Sequence, residues 1–247
     1  MSGLIVALRY LTIVPVAAQR PHEHGVASGA APWFPVIGAG IGLVLVVTDR
    51  LTGALFPTLL AALLTVTVWK LVTGGLHLDG LADCLDGLPG LDAEQRLHIM
   101  RDSRIGAFGA IGLILFLLLE IAALSELATP ERWRVLLAAP TIARAMPPLL
   151  SRVFPPARRE GHAFAFRQGL EWRGALLALG GAVVMTILAL GVVGLVALLA
   201  ALLVTAGLGR FFTRQLGGVT GDVLGAAVET AELTTLLTVS AWSHAGR

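Results

Sequence analysis

Three aspartates, Asp79, Asp83 and Asp86, recur at i, i+4 and i+7 in the segment GGLHLDGLADCLDGL. At 100° per residue they fall within an arc of about 60° on one helix face. Like charges at this spacing repel, and the repulsion grows near a membrane. A divalent cation is the simplest compensation. An all-oxygen donor set suits Mg2+, or Mn2+, rather than zinc. Gly80 and Gly87 each follow an aspartate, and they leave room beside the stripe for a ligand or another backbone.

Two further segments carry the same kind of chemistry. In IMRDSRIGAFG, Asp102 and Ser103 stand between Arg101 and Arg104. Alone, this reads as a local ion pair. Beside the stripe, Asp102 can complete a metal site while the arginines hold phosphate oxygens. Gly106 and Gly109 open the next apolar run and read as helix-packing residues. In LGGVTGDVLGAAVETAEL, Thr220 is placed to cap a helix and Asp222 lies in its first turn. Glu229 shares the face of Asp222, and Glu232 follows three residues later. Carboxylates within an apolar stretch are functional candidates.

Other polar residues divide between structural and functional readings. His77 lies on the helix face opposite Asp79 and is read either as packed or as a ligand contact. Lys70 is expected to snorkel to the interface. Arg144, mid-span, must meet a carboxylate or a substrate. Arg158, Arg159, Arg167 and Arg173 either mark a cytoplasmic face or hold an anion at the mouth of the site. Cys84 reads as a small core residue. With nine Phe, five Trp and one Tyr, no aromatic cradle is visible.

Several aspartates interspersed with arginines, without a nucleophile–base triad, fit metal-assisted phosphoryl transfer. Positioning and charge stabilisation dominate that chemistry. A carboxylate can take the proton of an attacking alcohol, and Asp102 or Asp222 fits that role. No GxxxxGK[ST] loop is present, which disfavours a P-loop ATPase.

The elements that position these groups are membrane helices. Of 247 residues, 56% are hydrophobic and 14% charged, against roughly 25% charged in soluble domains. Mean hydropathy is +0.82. This excludes a disordered, nucleic-acid-coating or disulfide-stapled protein and leaves a polytopic, all-α membrane helix bundle as one domain over 1–247. Candidate spans are 33–48, 52–73, 105–125, 135–153, 174–190 and 192–209. The stretch 223–242 is either a seventh span or a helix tucked inside the bundle. Residues 3–18 read as an interfacial or half-inserted helix, followed by a polar stretch over 19–32. Gly191 marks a tight helical hairpin. Threading six spans from a cytoplasmic N-terminus puts twelve arginines inside, Arg20 among them, against three outside: Arg50, Arg132 and Arg134. That bias obeys the positive-inside rule and sets 74–104, 154–173 and 210–222 on the cytoplasmic face. Lys70 and Arg144 fall within spans, and Arg247 is terminal.

In order and spacing, the three quoted motifs and the early ALRYLTIVP closely resemble the cobalamin-5'-phosphate synthase family, the adenosylcobinamide-GDP ribazoletransferases. The resemblance covers nearly the whole chain and is weakest over 154–173. It implies a Mg2+-dependent, multi-pass enzyme of the bacterial inner membrane, working on the cytoplasmic side in late vitamin B12 synthesis. Such an enzyme joins adenosylcobinamide-GDP to α-ribazole or its 5'-phosphate. A ribose 3'-hydroxyl attacks the phosphorus nearer the cobinamide, and GMP leaves. Carried onto this chain, Asp79, Asp83, Asp86 and Asp102 bind metal and diphosphate. Asp86, Asp102 and Asp222 are the catalytic candidates. Arg101, Ser103, Arg104, His77, Arg144, Arg158 and Glu229 are the substrate-binding candidates. The lipid bilayer is the expected partner, nucleic acid is not, and the Gly-rich spans permit self-association.

Two other readings use the same residues. A CDP-alcohol phosphotransferase has similar aspartate chemistry, but its DGxxAR element is absent here. A cation transporter also lines its path with carboxylates, but the acidic motif sits at span ends among arginines.

Overall fold

Long apolar runs without period-2 alternation give helices throughout. The computed structural model describes residues 3–15, 28–159 and 161–246. Arg20, the polar stretch over 19–27 and Arg247 lie outside the described residues. The expected N-terminal helix is α1, Gly3–Leu11, which stops short of Pro15. A 3-10 turn, Ser28–Trp33, leads into α2, Phe34–Leu55, and α3, Thr58–Val72. Next come α4 (Leu76–Gly87), α5 (Ala93–Ile99), α6 (Ala107–Ser125) and α7 (Thr129–Val153). The chain continues through α8 (His162–Gly169), α9 (Trp172–Leu190), α10 (Val192–Leu216) and α11 (Gly221–Ala245). No strand occurs among the described residues, only one isolated bridge between Pro156 and Val219.

Five helices are long and apolar enough to cross a membrane: Gly29–Leu55, which includes the 3-10 turn, and α6, α9, α10 and α11. A sixth arises if α3 and α4 count as one bent span. Their outer faces expose Leu43, Val47, Leu51, Ile111, Leu115, Leu118, Leu188 and Leu203. Only a lipid environment leaves such a girdle in contact with a favourable solvent. The axis turns by 91° between α3 and α4. Gly74 and Gly75, at φ +65° and +69°, make that turn in a backbone region that other residues avoid. α4 therefore turns away from the axis of α3 and packs over the first turns of α6 and α11. The Gly191 hairpin joins α9 to α10 as expected, at φ +60°.

The centre belongs to α7 and α11. α7, expected over 135–153, starts at Thr129 and is buried along most of its 25 residues. α11 is both apolar enough to span and enclosed, with 72% of its span window buried. α2 approaches α7 closely because Gly38 and Gly42 stand four residues apart. A Cβ at Gly42 would meet the Leu136 carbonyl oxygen at 2.7 Å, the small-residue packing that brings membrane helices together.

The break expected at Asp49–Arg50 is corrected to Phe56–Pro57. α2 continues through the charged pair because Arg132 neutralises buried Asp49 through its Nε and Nη2 groups, while its Nη1 donates to the Leu124 carbonyl. Arg132, expected in an outer loop, is thus buried within the bundle. Pro57 cannot continue a hydrogen-bonded helix, and it ends the element.

Lys70 does not snorkel. Its Nζ donates to Glu120 at 3.0 Å, Glu229 at 2.5 Å and Glu232 at 3.1 Å. Arg144 donates to Glu232, and the Trp69 indole donates to the same carboxylate at 3.0 Å. α3, α6, α7 and α11 are therefore tied at one buried ionic knot. Removing one partner of a buried ionic network strands the others, at a cost of about 3–5 kcal/mol. Lys70→Met should accordingly lower the unfolding midpoint in detergent sharply. Arg104→Ala, which deletes an ion pair whose arginine is 87% exposed, should leave it nearly unchanged. Equal melting of the two variants contradicts this reading.

Candidate active site

The aspartates of the α4 stripe meet three different surroundings. Asp86 faces the start of α6 and accepts from the Gly106 and Gly109 N–H groups, both at 2.7 Å. A side chain at either glycine would collide with that carboxylate. These glycines therefore expose backbone donors to Asp86, a role the packing interpretation missed. Each oxygen of Asp86 keeps one further lone pair, but its first duty is to cap α6.

Asp79 is exposed and stands where α4 crosses the start of α11. Gly80 permits this crossing, since a Cβ there would lie 2.8 Å from the Asp222 carbonyl oxygen. Thr220 caps α11 by accepting from the Val223 N–H at 3.2 Å, and its hydroxyl donates to Asp222 Oδ2 at 3.2 Å. Asp222 thus sits in the first turn of α11, where the helix dipole favours its charge. Half-buried Asp83 lies between these groups. Burial, then the charges of Asp222, Asp79 and Asp86, push its carboxyl up to about 7. Burial likewise holds the Cys84 thiol well above its usual range, leaving an inert core residue.

Three cavities run in series through this region. The first, about 300 Å³, is lined by Asp79, His77, Gly80 and Asp222 together with Arg9, Tyr10, Phe34 and Phe166. The second, about 140 Å³, shares Gly221 and Asp222 with it and adds Arg158 and Thr220. The third is a trough of about 710 Å³ along α5, lined by Arg158, Arg101, His98, Asp92, Glu94 and Gln95. Arg158 reaches Asp222 because its loop is stitched to the loop before α11. The Ala157 N–H donates to the Val219 carbonyl at 2.9 Å, and the Val219 N–H donates to the Pro155 carbonyl at 2.8 Å. Arg158 Nη2 also donates to the Leu97 carbonyl at 2.7 Å.

The remaining candidates are placed elsewhere. Asp102 accepts a forked pair of hydrogen bonds from Arg104, which hold its carboxyl down at about 2. Neither residue, nor exposed Ser103, lines the three cavities. Arg144 and Glu229 belong to the buried knot and line none of the three cavities. Arg167 is occupied by the Ser151 and Phe154 carbonyls. Among the described residues, the one trio of carboxylates whose oxygens lie within 4.8 Å of one another is Glu120, Glu229 and Glu232. Lys70 fills that trio, so the stripe aspartates are grouped without forming a closed ligand shell. Tyr10, Phe34 and Phe166 stack on one another with centroids 5.8–6.0 Å apart. They come from α1, α2 and α8, so no spacing in the sequence announces this aromatic wall.

Comparison with known proteins shows the family of the chain. The family described as CobS, cobalamin-5-phosphate synthase, matches residues 3–240. An adenosylcobinamide-GDP ribazoletransferase of Pseudomonas aeruginosa strain UCBPP-PA14 is 39% identical over 246 residues, covering 97% of this chain and 98% of the relative. One from Bradyrhizobium diazoefficiens is 39% identical, covering 98% and 94%. One from Roseiflexus sp. strain RS-1 is 37% identical, covering 95% and 87%. No solved structure matches. A bundle that sets an aspartate stripe against the acidic start of its last helix, matched along nearly all its length, belongs to the cobalamin-5-phosphate synthase family.

Proposed function

We propose that this chain joins adenosylcobinamide-GDP to α-ribazole, or its 5'-phosphate, releasing GMP in a late step of vitamin B12 synthesis. The observation that carries the reading is the crossing of α4 and α11. There Asp79 and Asp222 line a cavity that adjoins, by way of a second one at Arg158, a trough of mixed charge carrying Arg101, His98, Asp92 and Glu94. The acceptor's hydroxyl attacks the phosphorus bonded to the cobinamide. A new P–O bond forms, and the bond to the GMP phosphate breaks. Asp222 takes the hydroxyl proton, since Asp102 is committed to Arg104. Arg158 and Arg101 stand where the departing phosphate gains charge.

The donor set fits Mg2+. It consists of oxygens only, and burial, with the charges of Asp222, Asp79 and Asp86 added to it, pushes Asp83 up to about 7. Asp79, Asp83 and Asp222 would hold the ion, and Asp86 would fix α4 beneath them. When bound, the ion neutralises the diphosphate and the leaving phosphate. The α4–α5 segment, the loop carrying Arg158 and the start of α11 share one end of the bundle, and we place that end on the cytoplasmic side of the bacterial inner membrane. The surplus of arginines in these segments supports that orientation.

Purified protein in lipid-supplemented detergent, given both substrates and Mg2+, should release GMP and a corrinoid product, and EDTA should stop both. A folded sample that forms neither removes the reading. The metal has an independent signature. Without it, folded Asp83 keeps a proton between 3.8 and about 7 that the unfolded chain has released. Its contribution to stability therefore falls as pH rises through that window. In EDTA, wild type should lose melting temperature from about pH 5 to pH 8 relative to Asp83→Asn. Saturating Mg2+ should erase the difference, and a pH slope unaffected by Mg2+ refutes the site.

A further inference from the structure

The first cavity is lined by two chemically different sets of side chains. One is charged, made of Asp79, Asp222 and Arg9. The other is the stacked wall of Tyr10, Phe34 and Phe166, whose planes lie within 24° of parallel. Phe34 and Phe166 are buried behind, and half-buried Tyr10 is the ring of the wall that is still partly open. His77 also lines this cavity. It is 5% exposed, and its Nδ1 has no hydrogen-bond partner among the described residues. An aromatic wall beside one unsatisfied imidazole nitrogen is a site for a flat, largely apolar heterocycle with few hydrogen-bonding atoms.

The trough along α5 is the opposite in character. Asp92, Glu94, Gln95, His98, Arg101 and Arg158 offer many donors and acceptors and no aromatic wall. The reaction brings two bases of matching contrast. Guanine presents polar edges. The base of α-ribazole is a dimethylated benzimidazole with one unsubstituted ring nitrogen. A cavity of about 300 Å³ accommodates a bicyclic base with part of its ribose but not a corrin ring.

Resting on the proposed transferase reading, we propose that the Tyr10–Phe34–Phe166 wall, with His77, is the acceptor-base subsite that binds the benzimidazole of α-ribazole and selects it among bases. The sugar then extends toward Asp79 and Asp222, which places its hydroxyl beside the proton acceptor. The donor approaches from the other side, with its diphosphate near Asp222 and Arg158 and its guanine in the trough. Acceptor and donor so enter the reaction centre from adjoining cavities, and the line of attack is set by their arrangement.

Steady-state kinetics of the full chain, with each substrate varied separately, tests this. Removing a stacking ring costs a base-binding site about tenfold or more in affinity, so Tyr10→Ala should raise KM for α-ribazole by that factor while changing KM for adenosylcobinamide-GDP less than about twofold. Tyr10→Phe should restore the wild-type value, because the ring and not the hydroxyl makes the contact. The variant should also discriminate less between α-ribazole and the corresponding adenine riboside. If Tyr10→Ala does not fold, wild-type enzyme gives the same answer. Free 5,6-dimethylbenzimidazole should inhibit competitively against α-ribazole and not against the donor. A rise in donor KM instead, unchanged KM for both substrates, or inhibition competitive with the donor overturns the subsite. Absence of GMP release from wild-type enzyme defeats the transferase reading itself, so the two failures are distinguishable.

Discussion

Three carboxylates and two cations share one dehydrated space among α3, α6, α7 and α11, and the position of every other element follows from holding them together. Glu120, Glu229 and Glu232 converge on Lys70, while Arg144 and the Trp69 indole complete Glu232. None of these groups can be left alone in an apolar bundle. The knot therefore fixes which faces of four helices meet, something that nonspecific apolar packing in lipid specifies poorly.

The proposed reaction centre lies a short distance along the same helices. On α11, Asp222 precedes Glu229 by seven residues, which is about 10 Å at the helical rise. On α3, Lys70 occupies the last turn, directly before the Gly74–Gly75 bend that turns α4 away from the axis of α3. One clamp thus sets both the start of α11 and the end of α3. Two local contacts then fix α4 in place. Gly80 lets α4 touch the backbone at Asp222, and Asp86 binds the start of α6. The carboxylates that repel one another around Asp83 are held near each other by this rigid frame. The structural ion cluster, three carboxylates against two cations, and the proposed reactive one are separate.

Much of this was legible in the sequence. The aspartate stripe, the Thr220 cap and the Gly191 hairpin follow from spacing and residue type alone, because they are local, whereas the choice between a seventh span and a tucked-in last helix needed the tertiary fold. The pairings were not. Asp49–Arg50 looked like a break because Asp49's partner, Arg132, belongs to a distant helix. Lys70 looked like an interfacial residue because its three carboxylates come from α6 and α11. Arg144, mid-span, demands a partner on sequence grounds, but that partner, Glu232, lies on a distant helix. Asp102 and its arginines drew attention as site residues, yet the shorter-range interaction, the Arg104 fork, claims the carboxylate. The aromatic wall was missed entirely, since its three rings lie on elements that only the tertiary fold brings together.

The central claim is that the contact between α4 and the first turn of α11 is the seat of the chemistry, separate from the knot that stabilises the fold. Gly80→Val tests it most directly. The added side chain would press on the Asp222 backbone, where even a Cβ lies 2.8 Å from the carbonyl oxygen, and displacements of this kind cost about 100-fold in rate. Single-turnover GMP release, measured at a temperature where the variant is folded, should fall by about that factor, while the melting temperature falls less than it does for Lys70→Met, because the knot stays intact. A folded variant that releases GMP at the wild-type rate would show that the reaction does not depend on this contact.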